Sequence, residues 1–145
     1  MISLNHVLTG TAIGLAVRQP ILAAPLAFLS HFILDMVPHF SYEWPKVRFM
    51  TIWTLDAIAS ATALVLLSML APELTLSILA GGVFAELPDV IWIHERLILK
   101  AKSKNWFFVF HRVIQWSQTQ SGLLVEVGYF VIIVTINALL LKIGG

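Results

Sequence analysis

A chain of 145 residues that is 59% hydrophobic and 12% charged, with a mean hydropathy of +0.89, has more apolar surface than a water-soluble domain of this length can hide. A net charge of +1 gives no reason to expect a nucleic-acid partner. The absence of cysteine excludes disulfides and thiolate metal sites, so any metal must be held by imidazole, carboxylate or backbone oxygen.

In chain order, two short apolar runs come first, about 2–17 and 21–37, separated by Arg18-Gln19-Pro20. They predict a tight helical hairpin, and Gly10-Thr11-Ala12-Ile13-Gly14 offers a small-xxx-small face for close packing. Met1 to His6 lacks a basic leader and no small-residue cleavage site follows, so the first helix is expected to belong to the mature protein. A polar loop from Pro38 to Pro45 leads to a third helix at about 51–71, and the short Ala71-Pro72-Glu73 turn leads to a fourth at about 74–94. A basic loop, Glu95 to Asn105, precedes a short amphipathic helix at about 106–116 that reads as interfacial. A Gln/Ser/Gly turn then opens the last helix, about 122–142. A span needs about 20 apolar residues. The expectation is a single all-α domain, a polytopic bundle of about five transmembrane helices plus one interfacial helix.

Orientation follows from lysine and arginine. Lys46 and Arg48 follow the second helix, and Arg96, Lys100, Lys102, Lys104 and Arg112 follow the fourth, whereas the turn between the third and fourth has none. The positive-inside rule makes both basic regions and the N-terminus cytoplasmic. Trp44, Trp53, Trp92, Trp106 and Trp116 then gather at the same face as an aromatic belt.

A charged side chain within a span costs about 2.5–3.5 kcal/mol, so each one requires a partner or a purpose. His6, His31, Asp35, Asp56, Glu86, Asp89 and Glu126 all thread to the cytoplasmic half. His31 and Asp35 lie one helical turn apart and can grip one cation, with His39 just beyond the helix-ending Pro38. Glu86-Leu87-Pro88-Asp89 sets two acids beside a proline that removes a helix hydrogen bond. On the interfacial helix, His111 could act as ligand or acid/base and Arg112 as an anion clamp. Glu126 reads as a helix–helix hydrogen-bonding residue, or else as a partner behind a metal ligand, and His94 as a solvated residue. The candidate metal ligands are therefore His6, His31, Asp35, His39, Asp56, Glu86, Asp89 and His111, and the candidate catalytic residues Glu86, His111 and Arg112. Nitrogen and oxygen donors without sulfur favour zinc, one or two ions, with manganese or iron as alternatives.

The stretches Asn5-His6, Ser30 to His39, Glu86-Leu87-Pro88-Asp89 and Phe110-His111-Arg112 resemble those of the membrane-bound metal-dependent hydrolases, a family of small polytopic bacterial and archaeal proteins. The His-x-x-x-Asp-x-x-Pro-His stretch is also similar to a metal-binding segment of zinc-dependent phospholipases C. The resemblance implies a metal-dependent hydrolase of a prokaryotic plasma membrane, acting on a phosphoester of a lipid or amphiphile. Two departures are visible: Ile91 stands where relatives tend to carry a second acid after Asp89, and the Thr-His that often follows His-Arg is missing between His111 and Gly122. Two other classes fit the same residues, a transporter or channel for divalent cations or protons, and a scaffold stapled by a structural metal. Confinement of the ionisable residues to one membrane half argues against a through-path.

Overall fold

The computed structural model describes residues 1–40, 46–94, 106–116, 118–119 and 121–144. Trp44 and the basic residues Arg96, Lys100, Lys102 and Lys104, which carry part of the orientation argument, lie outside them. The described chain is all-helical: α1 (Ser3–Val17), α2 (Pro20–Asp35), α3 (Lys46–Leu70), α4 (Thr75–Ile93), α5 (Trp106–Ile114) and α6 (Gly122–Gly144). A single 3₁₀ turn, Pro72–Leu74, joins α3 to α4.

Three segments are long and apolar enough to cross a membrane, Met50–Leu70, Pro72–Ile93 and Gly122–Gly144. The first two helices are apolar but have only 15 and 16 residues. At a 1.5 Å rise per residue each is about 23 Å long, less than the roughly 30 Å of a hydrocarbon core. The distribution of polarity supports a membrane setting. Asn5, His6, Thr11, His31, Asp35, His111, Glu126 and Asn137 are buried, while Ile21, Met69, Leu76, Leu124 and Ile143 are among many large apolar side chains left exposed. Such an arrangement is unfavourable in water and suited to hydrocarbon.

Helix α1 occupies the centre and touches α2, α3, α4 and α6. Its contact with α4 is backbone against backbone. A Cβ added at Gly10 would collide with the carbonyl of Gly81, one at Gly14 with the carbonyl of Ser77, and one at Gly81 with the carbonyl of Gly10. The small-residue face of α1 thus lets dispersion contacts form along the whole seam. Deeper in the bundle, Asn137 of α6 donates to the carbonyls of Leu8 and Ile133, both at 2.9 Å, and accepts from Thr11 Oγ1 at 3.0 Å, so these buried polar groups satisfy one another.

The start of α1 is capped from other helices. Asp56 of α3 accepts from the backbone N–H groups of Ser3 (2.7 Å) and Leu4 (3.1 Å), and Glu126 of α6 accepts from that of Ile2 (3.2 Å). Carboxylates there satisfy orphan donors and complement the positive end of the helix dipole.

One feature has no counterpart in the expected elements. His39–Phe40 (β1) pairs in parallel with Gln118–Thr119 (β2), across positions read from sequence as a loop and a turn. Two-residue strands carry no periodicity to detect. Tertiary contacts make the bridge: Gly122 lets α6 begin against the backbone of His39 and Phe40, and Glu126 Oε1 accepts from the Phe40 N–H at 3.3 Å.

Candidate metal centre

His31 and Asp35 leave α2 from the same face one turn apart, and Asp89 comes from the last turn of α4. His111 descends from α5, which is seated by an aromatic wedge: Phe32 of α2 lies 5.4 Å from Phe110 and 6.2 Å from Phe107, ring centre to ring centre. Together these elements bring one ligand atom each from His31, Asp35, Asp89 and His111 within 4.8 Å of one another. The group could hold a metal ion.

Its internal distances fit that purpose. His31 Nε2 stands 3.2 Å from His111 Nε2, and Asp35 Oδ2 lies 3.2 Å from the first and 3.0 Å from the second. Asp89 Oδ1 is slightly farther, 3.8 Å from His31 and 3.6 Å from His111. Four ligands at about 2.0–2.2 Å from a common tetrahedral centre are separated by about 3.3–3.6 Å.

Proton positions sharpen the point. His31 Nδ1 lies 2.7 Å from the carbonyl oxygen of Ala85, an acceptor only, so Nδ1 carries the proton and donates. In the neutral ring, Nε2 then presents a lone pair toward the Asp35 carboxylate. Two lone pairs 3.2 Å apart repel unless the ring takes a second proton or a cation lies between them. Such a carbonyl partner behind a ligand imidazole is the usual way a protein fixes the metal-binding tautomer.

Asp35 is the hub of the whole cluster. Its Oδ2 also accepts from Gln115 Nε2 at 3.1 Å, while its Oδ1 lies 2.8 Å from the Met1 nitrogen and 3.2 Å from His6 Nε2. Five nitrogens thus surround a carboxylate that offers about four lone-pair directions. His6 is fully buried and stacks on His31 with ring centres 4.0 Å apart, but neither of its nitrogens has hydrogen-bond geometry to a partner among the described residues.

The other sequence candidates stand outside the four-residue group. Asp56 spends both oxygens on the N-terminus of α1. Glu86 sits one turn before Asp89 on α4, with Oε2 buried and without a hydrogen-bond partner among the described residues. Arg112 is exposed on α5 beside the buried His111. His39 is buried, donates from Nδ1 to the carbonyl of Val37 at 2.8 Å, and leaves Nε2 without a partner among the described residues. Gln115 was not singled out by composition or motif. The signal for it is its place four residues after His111, just past the end of α5.

Two outcomes follow from these placements. Replacing Asp56 with Asn should cost about 1 kcal/mol of stability through the weakened cap and leave metal content unchanged, as chemical unfolding in detergent and elemental analysis would show. Burial lowers the pKa of His39 from its ordinary 6.5. The folded state then binds fewer protons than the unfolded chain, so the stabilisation from neutral His39 is present above pH 6.5 and is lost as pH falls below it. Thermal unfolding of the wild type in detergent should therefore weaken more between pH 7.5 and 5.5 than that of His39→Gln.

No protein-family model, curated protein or solved structure matches this chain.

Proposed function

We propose that the protein is a membrane-embedded, metal-dependent hydrolase that acts on a phosphoester of a lipid or similar amphiphile. One observation carries the reading: His31 Nε2 faces Asp35 Oδ2 and His111 Nε2 at 3.2 Å while Nδ1 is held by a carbonyl. Zinc is the favoured ion for two imidazoles and two carboxylates, with manganese or iron as alternatives. When bound, the ion supplies a Lewis acid and an activated water. His31, Asp35, Asp89 and His111 hold it, and the Met1 nitrogen keeps Asp35 in place. Glu86, one turn from Asp89, is placed to take up or release a proton, and Arg112 on the exposed face of α5 attracts an anionic headgroup.

The amphiphilic substrate is supported by an apolar groove of about 410 Å³ between α2 and α4, lined by Ala24, Pro25, Phe28, Leu29, Phe84 and Leu87. These two helices also carry three of the four ligand residues, so a hydrocarbon tail in the groove places its headgroup near the centre. In this reading α1 and α2 complete a bundle of about five spans in a prokaryotic plasma membrane, with the N-terminus and the site on the cytoplasmic side.

The test is elemental analysis of protein purified in nanodiscs, followed by a panel of lipid and soluble phosphoesters. Stoichiometric metal that is lost on replacing His31 with Ala, together with turnover, supports the proposal. Wild-type protein without stoichiometric transition metal overturns it. A second reading, a divalent-cation or proton transporter, draws on the buried polar residues Thr11 and Asn137 that extend below the site. Their mutual hydrogen bonds suit a structural strut better than a path, and metal flux into sealed vesicles that is abolished by Asp89→Asn would reverse the ranking.

A further inference from the structure

Beside the four ligand atoms stands a fifth polar group, one residue past the end of the helix that supplies His111. Gln115 directly follows α5, and its Nε2 lies 3.1 Å from Asp35 Oδ2 and 3.5 Å from His111 Nε2. Ligand atoms that share one cation at about 2.0–2.2 Å, with angles between square and tetrahedral, stand about 2.8–3.6 Å apart. The terminal atom of Gln115 therefore stands at ligand-like spacing from two of the four groups, Asp35 and His111. That atom is an amide nitrogen, a donor, and it faces the carboxylate. A half-turn of the carboxamide exchanges nitrogen for oxygen without moving the side chain, and which of the two faces the site depends on the charge it meets. Facing a carboxylate alone, the N–H side is favoured. Facing a cation held by that carboxylate, the carbonyl oxygen is favoured.

We propose that Gln115 is a fifth, neutral ligand of the metal centre, turning Oε1 toward the ion when His31, Asp35, Asp89 and His111 hold it. This rests on the metal-centre reading above and adds to it a donor set of two nitrogens and three oxygens. A neutral amide oxygen is a weaker donor than a carboxylate, so among these five it is the ligand most easily displaced by an incoming phosphoryl oxygen. Gln115 thereby keeps open the coordination position that a catalytic site requires, without leaving it empty between turnovers. Two carboxylates and one amide also limit the negative charge that would repel an anionic substrate.

The experiment uses full-length protein in nanodiscs with Zn²⁺ alone as the probe, comparing wild type, Gln115→Met and Gln115→Glu. Two quantities are read: the zinc dissociation constant by chelator competition, and the number of nitrogen and oxygen ligands by X-ray absorption at the zinc edge. The expected result is five ligands in wild type and in Gln115→Glu, and four in Gln115→Met with affinity about tenfold weaker. Gln115→Glu should bind zinc more tightly than wild type. Weakened binding by Gln115→Met with an unchanged ligand number would leave Gln115 as a mere hydrogen-bond donor to Asp35 and overturn the assignment. Unchanged affinity and ligand number would overturn it equally. If wild type binds no zinc, the metal-centre reading itself fails, an outcome distinct from either.

Discussion

Asp35→Asn should abolish metal retention. The substitution keeps the shape of the side chain but removes the charge that holds two imidazoles, a carboxamide and the Met1 nitrogen in place, and it replaces one oxygen of the carboxylate with a donor. A metal-dependent stabilisation is the cleanest readout. At a free metal concentration of 100 times the dissociation constant, a bound ion stabilises the fold by about 2.7 kcal/mol. Wild type should therefore unfold at a higher temperature with zinc than with a chelator, and Asp35→Asn should show no difference between the two. The variant should still insert and purify, because its neighbours lose an ion pair and gain no volume. Asp35→Asn that keeps stoichiometric zinc would remove Asp35 from the ligand set.

The second large effect concerns the α1–α4 seam. Gly10→Val places a branched side chain where even a single Cβ would collide with Gly81 and come within 2.8 Å of the Ala85 side chain. Overpacking of a well-packed core typically costs 1–3 kcal/mol where side chains can yield. Here the obstacle is backbone, so the expected cost exceeds about 3 kcal/mol and the two helices separate. Because α4 bears Asp89 and the Ala85 carbonyl that orients His31, zinc affinity should fall with stability. Gly128→Ala on α6 is the matched control, since a Cβ there meets nothing within 4 Å and helix propensity favours alanine. Comparable unfolding midpoints in detergent for Gly10→Val and Gly128→Ala would contradict the close-packed seam.

Much of this was legible in the chain, and the parts that were not share a cause. The His31/Asp35 pair follows from helical spacing alone, because residues four apart on one face must meet. The glycine face of α1 and the cost of acids within apolar helices are likewise local properties. Asp56 shows the limit: an acid near the start of an apolar helix announces that it needs a partner, but the partner it takes, the first N–H groups of α1, depends on how α3 packs 52 residues away along the chain. Glu126 was read as a hydrogen-bonding residue between helices, and what it binds, the backbones of Ile2 and Phe40, is likewise set by packing. Gln115 escaped because a neutral amide carries no desolvation signal comparable to that of a charge. The count of spans does not follow from apolar runs alone, since α1 and α2 fold as helices of only 15 and 16 residues.

Glu126 has a consequence for how the molecule is made. Its carboxylate joins α6 to Ile2 and to β1, contacts that span 124 and 86 residues of chain. Ribosomes release α1 and α2 long before α6, so during synthesis the Ile2 N–H lacks this acceptor and β1 lacks its strand partner. Until α5 emerges, His31 and Asp35 also lack His111. Assembly of the His31, Asp35, Asp89 and His111 cluster is thereby delayed until α5 has emerged, however early the first helices pack together.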